Sequence, residues 1–193
     1  MRRVALLVGG CVVLGAGVAM LLLADLGSDG YSTLVNGIRL ALDLPFIVAN
    51  VAVSVSFLAL AWVRRLPPGL GTLAQVVLVG VTVSVLLDVF DTPSSLVGQY
   101  VLLALAIPVL TFGIAAYLGA QAGAGPGEAA ALAWDPPIPF KWSYSAVQGG
   151  GALVGWLLGS AIGVGTIVVI FLLGPAVDLC ARLLRVETTQ PRS

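Results

Sequence analysis

Asn50, Gln75 and Gln148 are carboxamide side chains set inside long apolar runs, each with four hydrogen-bonding positions to fill. Polar groups at that depth cost free energy unless they pair or line a wet cavity, which makes these three the first candidates for binding a solute. Glu128 joins them at the start of a short helical segment beside Pro126-Gly127. A carboxylate there complements the positive helix end, and its second role is that of a proton carrier. Thr72 and Thr166 each close a Gly-x-Gly-Thr turn, Gly69-Leu70-Gly71-Thr72 and Gly163-Val164-Gly165-Thr166. Together with the helix-break glycines Gly27, Gly30, Gly71, Gly123, Gly125 and Gly165, these turns can offer backbone N–H groups at half-helix ends to a substrate anion. Ser54, Ser56, Thr82, Ser84 and Thr111 also lie in apolar runs, but such hydroxyls satisfy themselves on the preceding turn. Asp178 stands one turn before Arg182, a spacing that favours an ion pair.

What is missing narrows the chemistry further. The chain has no histidine, which removes the usual general base and the commonest metal ligand. Its two cysteines, Cys11 and Cys180, sit in apolar runs and read as small buried residues, not as a disulfide or a zinc site. Ala124-Gly125-Pro126-Gly127 lacks the Lys-Ser/Thr ending of a phosphate-binding loop, and neither a GxSxG elbow nor a paired-carboxylate motif occurs in a span. No catalytic residue, metal or cofactor is therefore expected, and the chain does not read as an enzyme.

The elements that must hold these residues are membrane spans. Of 193 residues, 59% are apolar and 9% charged, with a mean hydropathy of +1.08, against about 45–50% and about 25% in soluble domains. Nine basic residues balance nine acidic ones, leaving no excess for nucleic acid. Runs long enough to cross hydrocarbon extend from Val4 to Ala24, Phe46 to Val63, Leu70 to Leu87, Leu96 to Leu118, Ala146 to Ala161 and Ile162 to Leu184. The first is too long for a signal peptide and reads as an uncleaved helix. With the N-terminus in the cytoplasm, Arg2, Arg3, Arg64, Arg65, Lys141, Arg182, Arg185 and Arg192 all lie inside and only Arg39 outside. Both termini are thus expected to be cytoplasmic in an inner membrane. Tyr31 to Leu44 and Gly127 to Trp134 read as short interfacial or re-entrant helices, and Phe140, Trp142 and Tyr144 as an interfacial belt. Gly151, Gly155, Gly159 and Gly163 recur every four residues and predict a packing stripe on the fifth span within the monomer, the alternatives being a face toward a second copy or a membrane partner, or a sliding surface for conformational change.

The order long span, glycine turn with short helix, span, Gly-x-Gly-Thr span occurs twice, over residues 4–90 and 96–184, with 185–193 a cytoplasmic tail. One fixed offset carries Gly71 onto Gly165, Thr72 onto Thr166 and Gly80 onto Gly174. Three crossings per half make the second copy enter from the opposite face. The expected fold is an all-α, single-domain bundle of six spans in two inverted three-helix repeats, an arrangement typical of secondary transporters.

Leu26-Gly27, Pro68-Gly69-Leu70-Gly71-Thr72, Tyr117-Leu118-Gly119 running into Gly123-Ala124-Gly125-Pro126-Gly127, and Gly155-Trp156-Leu157-Leu158-Gly159 followed by Gly163-Val164-Gly165-Thr166 and Gly174-Pro175 resemble the YczE-like branch of the YitT and YczE group of bacterial membrane proteins. The resemblance covers about Gly15 to Leu184 and implies a polytopic membrane protein, in some descriptions a transporter. The family tends to carry Pro-Trp-Asp where this chain has Gly30-Tyr31-Ser32, Pro-Arg-Asp where it has Pro126-Gly127-Glu128, and an Arg and a Glu near Tyr144 and Gln148. Of those charges only Glu128 is kept in kind. The expected function is a small-solute secondary transporter or permease in the lipid bilayer, the alternative a non-transporting scaffold or assembly partner.

Overall fold

The computed structural model describes residues 2–64, 69–134, 137–138 and 140–184, which are helix and turn with no strand among them. The helices are α1 (Arg2–Ala24), α2 (Gly30–Leu42), α3 (Phe46–Val63), α4 (Leu70–Val89), α5 (Leu96–Gly119), α6 (Pro126–Leu132), α7 (Phe140–Leu157) and α8 (Val164–Leu184). Their ends follow local chemistry. Asp29 accepts from Ser32 N to cap α2, Ser95 does the same for α5 through Gly98 N, and Pro126 opens α6 where its missing N–H costs nothing.

The core is a tight pair of long helices. Gly10 lies on the backbone of Tyr117, Leu14 on Gly113 and Gly17 on Leu110, so α1 and α5 run antiparallel. A Cβ on Gly10 would fall 2.5 Å from Tyr117 N, which is why small residues occupy this seam. Cys11, Leu14, Leu21, Leu103, Ala106 and Leu110 fill the space around it. α4 packs on α1 and α8 on α5, while α3 lies along α4. The short helices cross between halves: α2 packs on α7, and α6 on α3. Outward, Val77, Val81 and Val85 on α4 and Val97, Val101 and Leu105 on α5 form exposed apolar rows at four-residue steps. A surface of that kind suits lipid.

Among the described residues four helices, α1, α3, α4 and α5, are long and apolar enough to cross a membrane. α8 makes a fifth when its two segments, bent by 45° at the Gly174-Pro175 step, are taken together. Six spans were expected from the sequence, and α7 is not among these five, because Ser143, Tyr144, Ser145, Gln148 and Gly149-Gly150-Gly151 dilute its apolar content. Its limits also move, from Ala146–Ala161 to Phe140–Leu157. Phe140, Trp142 and Tyr144, read as an interfacial belt, belong to the helix itself, and Gly159 (φ +99) lies in the turn beyond its end. The four-residue glycine stripe is accordingly shared: Gly151 and Gly155 are on α7, Gly159 is in the turn and Gly163 precedes α8. The Asp178–Arg182 pairing and the side chains of Arg2, Arg65, Lys141, Arg185 and Arg192 lie outside what is described.

Candidate functional site

Tyr31 is the centre of the polar interior. It is the second residue of α2, where backbone N–H groups lack helical partners. Gln148 Oε1, from α7, accepts from Tyr31 N at 3.1 Å, so the start of α2 is capped by a side chain 117 positions away. Gln148 Nε2 in turn donates to the Tyr144 hydroxyl at 2.7 Å, one turn back on α7. The Tyr31 hydroxyl donates to Asn50 Oδ1 at 3.1 Å and lies 2.7 Å from Ser54 Oγ. With one proton to give, it must then accept from Ser54. Asn50 Nδ2 completes the chain by donating to Val76 O of α4 at 2.9 Å. The Tyr31 ring sits edge-on to Phe57 with centroids 5.7 Å apart, and a Cβ on Gly127 of α6 would be 3.6 Å from it.

Gln75 precedes Val76 on α4, and it and Glu128 both approach Gly125. A Cβ on Gly125 would crowd Glu128 Oε2 and lie 2.7 Å from Gln75 Oε1, so the absent side chain makes room for both. Gln75 Oε1 is buried with no hydrogen-bond partner among the described residues. Glu128 keeps some exposed surface, but its carboxyl is enclosed on a helix too short to span. Loss of hydration pushes that carboxyl above its ordinary value; its own backbone amide offsets part of this, and the negative charge of Asp29 adds to it.

Two glycine turns flank the cluster with the same backbone. Asp25 (φ 53) and Gly27 (φ +96) follow α1; Gln121 (φ 51) and Gly123 (φ +131) follow α5. Each glycine sits against a threonine at the start of the opposite half's last helix, Gly27 against Thr166 and Gly123 against Thr72. Gly71 N donates to Ala122 O at 2.9 Å, and Gly165 N to Leu26 O at 2.7 Å. Thr72 Oγ1 donates to Ala124 O at 2.7 Å, whereas Thr166 Oγ1 is buried without a partner among the described residues. The Ser28 carbonyl beside Gly27 is taken by Thr33 Oγ1 at 3.3 Å.

The sequence-derived candidates thus divide. Asn50 and Gln148 share Tyr31, Gln75 and Glu128 share Gly125, and Thr72 is bonded to the residue before Gly125. Thr166 is held apart in the other turn. Gly30 is the first residue of α2, at the helix end after the Gly27 turn, and lies on the backbone of Gln148, with Gly151 and Gly155 seated on Gly30 and Thr33. Sequence reasoning missed Tyr31, Ser54 and Tyr144. It treated the serines as self-satisfied, which holds for Ser56 on Ala52 O and equally for Thr111 on Ile107 O. Ser54 and Ser84 instead bond across helices, Ser84 accepting from Ile47 N at 2.8 Å to cap α3. The Tyr144–Gln148 spacing of four was a readable signal.

Residues 1–182 match the family of unknown function DUF6198, and the chain belongs to that family. A Haemophilus influenzae protein described as an uncharacterized protein is 24% identical over 179 residues, covering 92% of this chain and 82% of its own length. No solved structure matches.

Proposed function

We propose that this DUF6198 member is a small-solute secondary transporter of the YczE-like type, built as two inverted repeats of three spans in the inner membrane with both termini cytoplasmic. One observation carries the reading: polar side chains of both halves meet in the interior, Tyr31, Asn50 and Ser54 of the first with Tyr144 and Gln148 of the second, while Gln75 of the first and Glu128 of the second both approach Gly125. The repeat is supported by paired contacts, since α1–α4 answers α5–α8, α2–α7 answers α6–α3, and the two glycine turns share backbone and partners. Sites at the junction of inverted halves are where alternating access operates. The reading involves no catalytic step and no cofactor.

The test is flux. Purified full-length protein in liposomes should move a solute down an imposed gradient, with transport reduced at least about tenfold by Asn50→Ala or Gln148→Ala, a loss of about 1.4 kcal/mol at the site. Flux that no solute elicits overturns the reading. Topology is a separate check: cysteines placed at Asp91 to Ser95 should label from the face opposite to Arg64.

A scaffold is the second reading, and a specific observation favours it. Tyr31, Asn50, Ser54, Tyr144 and Gln148 hydrogen-bond one another and the backbone. Retained assembly with a membrane partner in those same alanine variants would support it.

A further inference from the structure

We infer that Thr72 and Thr166 are alternating latches between the halves. Thr72 is fastened in the conformation described here, and Thr166 fastens to the Ser28 carbonyl in a second one, in which the Gly123 turn is released. The use of such a pair in transport rests on the carrier reading, though the exchange is measurable without flux.

The two glycine turns lie at opposite ends of the molecule, because they follow α1 and α5 and those helices run antiparallel. The step that carries Gly27 onto Gly123 also carries Ser28 onto Ala124, and Gly30, which opens α2, onto Pro126, which opens α6. The two threonines hold equivalent places. A Cβ on Gly123 would lie 2.7 Å from Thr72 Oγ1, and one on Gly27 would crowd Thr166 Oγ1. Their bonding is unequal. Thr72 Oγ1 donates across the halves to Ala124 O at 2.7 Å. Thr166, 9% exposed, has no partner for its hydroxyl among the described residues.

One residue accounts for the difference. The carbonyl equivalent to that of Ala124 belongs to Ser28, and Thr33 Oγ1 holds it from within its own half at 3.3 Å. The same step carries Thr33 onto Ala129, which has no hydroxyl to set against Thr72. Thr33 can let go, since its Oγ1 is also 2.9 Å from Ser28 Oγ and a bond to that hydroxyl replaces the one given up. The turn has room to shift, because Gly27 and Ser28 line a partly open recess with Asn36, Ser160 and Ala161. A buried hydroxyl left unbonded costs free energy. Two equivalent threonines that exchange this cost give two conformations of similar energy, as opening alternately at opposite ends requires.

The test is thiol accessibility at the two turns. Ala161→Cys, in the recess, and Ala124→Cys, in the other turn, are each placed in full-length protein whose Cys11 and Cys180 are replaced by alanine. Each is alkylated by a water-soluble maleimide in detergent. Thr72→Val should raise the rate at Ala124→Cys about fivefold and lower that at Ala161→Cys. Adding Thr166→Val should cancel both changes, whereas a turn merely loosened by the loss of Thr72 would stay loose. Thr33→Val, which frees the Ser28 carbonyl, should act in the same direction as Thr72→Val and keeps the inference testable where that variant fails to fold. Rates that do not change, or changes that Thr166→Val leaves in place, overturn the inference. Reciprocal changes in protein that shows no liposome flux uphold it and overturn the carrier reading. Flux without reciprocal changes overturns the inference alone.

Discussion

The two junctions between the halves use the same backbone and different fastenings. At one, α2 lies on α7 with backbone against backbone: Gly151 on Gly30, and Gly155 on Thr33 and on Gly37. Its turn threonine, Thr166, has no side-chain hydrogen bond among the described residues. At the other, the seven-residue α6 meets α3 through Leu58, Ala61, Ala129 and Ala133. Here side chains do the tying, Thr72 to Ala124 O and Arg64 to Ala133 O. The α2–α7 junction carries side-chain ties as well, Gln148 to Tyr31 N and Asn36 to Ser160 Oγ, so what sets the two apart is how closely their backbones approach.

Volume should separate the two most. A Cβ on Gly155 would fall inside the Thr33 carbonyl and 2.7 Å from Leu34 N, so Gly155→Leu should cost at least about 3 kcal/mol and deplete folded protein in detergent extracts. Ala129→Gly, which loosens the other junction, should cost about 1 kcal/mol. Equal losses in thermal unfolding would break the comparison. The threonines come next. Thr72→Val removes the donor to the part-buried Ala124 carbonyl and should cost about 1 kcal/mol, while Thr166→Val removes a group with no partner among the described residues and should be neutral or stabilising. The reverse order would mean that Thr166 has found a donor or acceptor after all.

The third effect is a slope rather than a step. Burial raises the Glu128 carboxyl above 4.5, so its neutral form is the one the fold favours. That stability is fully present below the unfolded value and is lost as pH rises through the folded one. Melting temperature should therefore fall as pH climbs above the ordinary carboxylate range, and Glu128→Gln should flatten the fall. Smallest is Arg64→Ala. The guanidinium is exposed and 4.9 Å from the centroid of the Trp134 ring, and its removal should cost no more than about 1 kcal/mol by the same unfolding assay.

Much of this could be read from residue order because spans are bounded by charges and prolines. Phe46 and Val63 are the ends of α3 as the apolar run places them, and α1, α4 and α5 follow their runs to within two residues at either end. α7 was misplaced for a physical reason: a four-residue glycine period continues through a turn as readily as along a helix, and only the backbone angle at Gly159 distinguishes them. The amides were legible from their cost in an apolar run. Their common partner was not, since Tyr31 looks like an interfacial residue until α2 is folded against α3.

Gln148 capping Tyr31 has a consequence for how the chain is made. The first residues of α2 are synthesised 117 positions before the side chain that completes their hydrogen bonding. Until α7 follows, Asp29 caps Ser32 N but Tyr31 N lacks its side-chain partner, so each half severed at Asp91 to Ser95 would be a fragment seeking its complement.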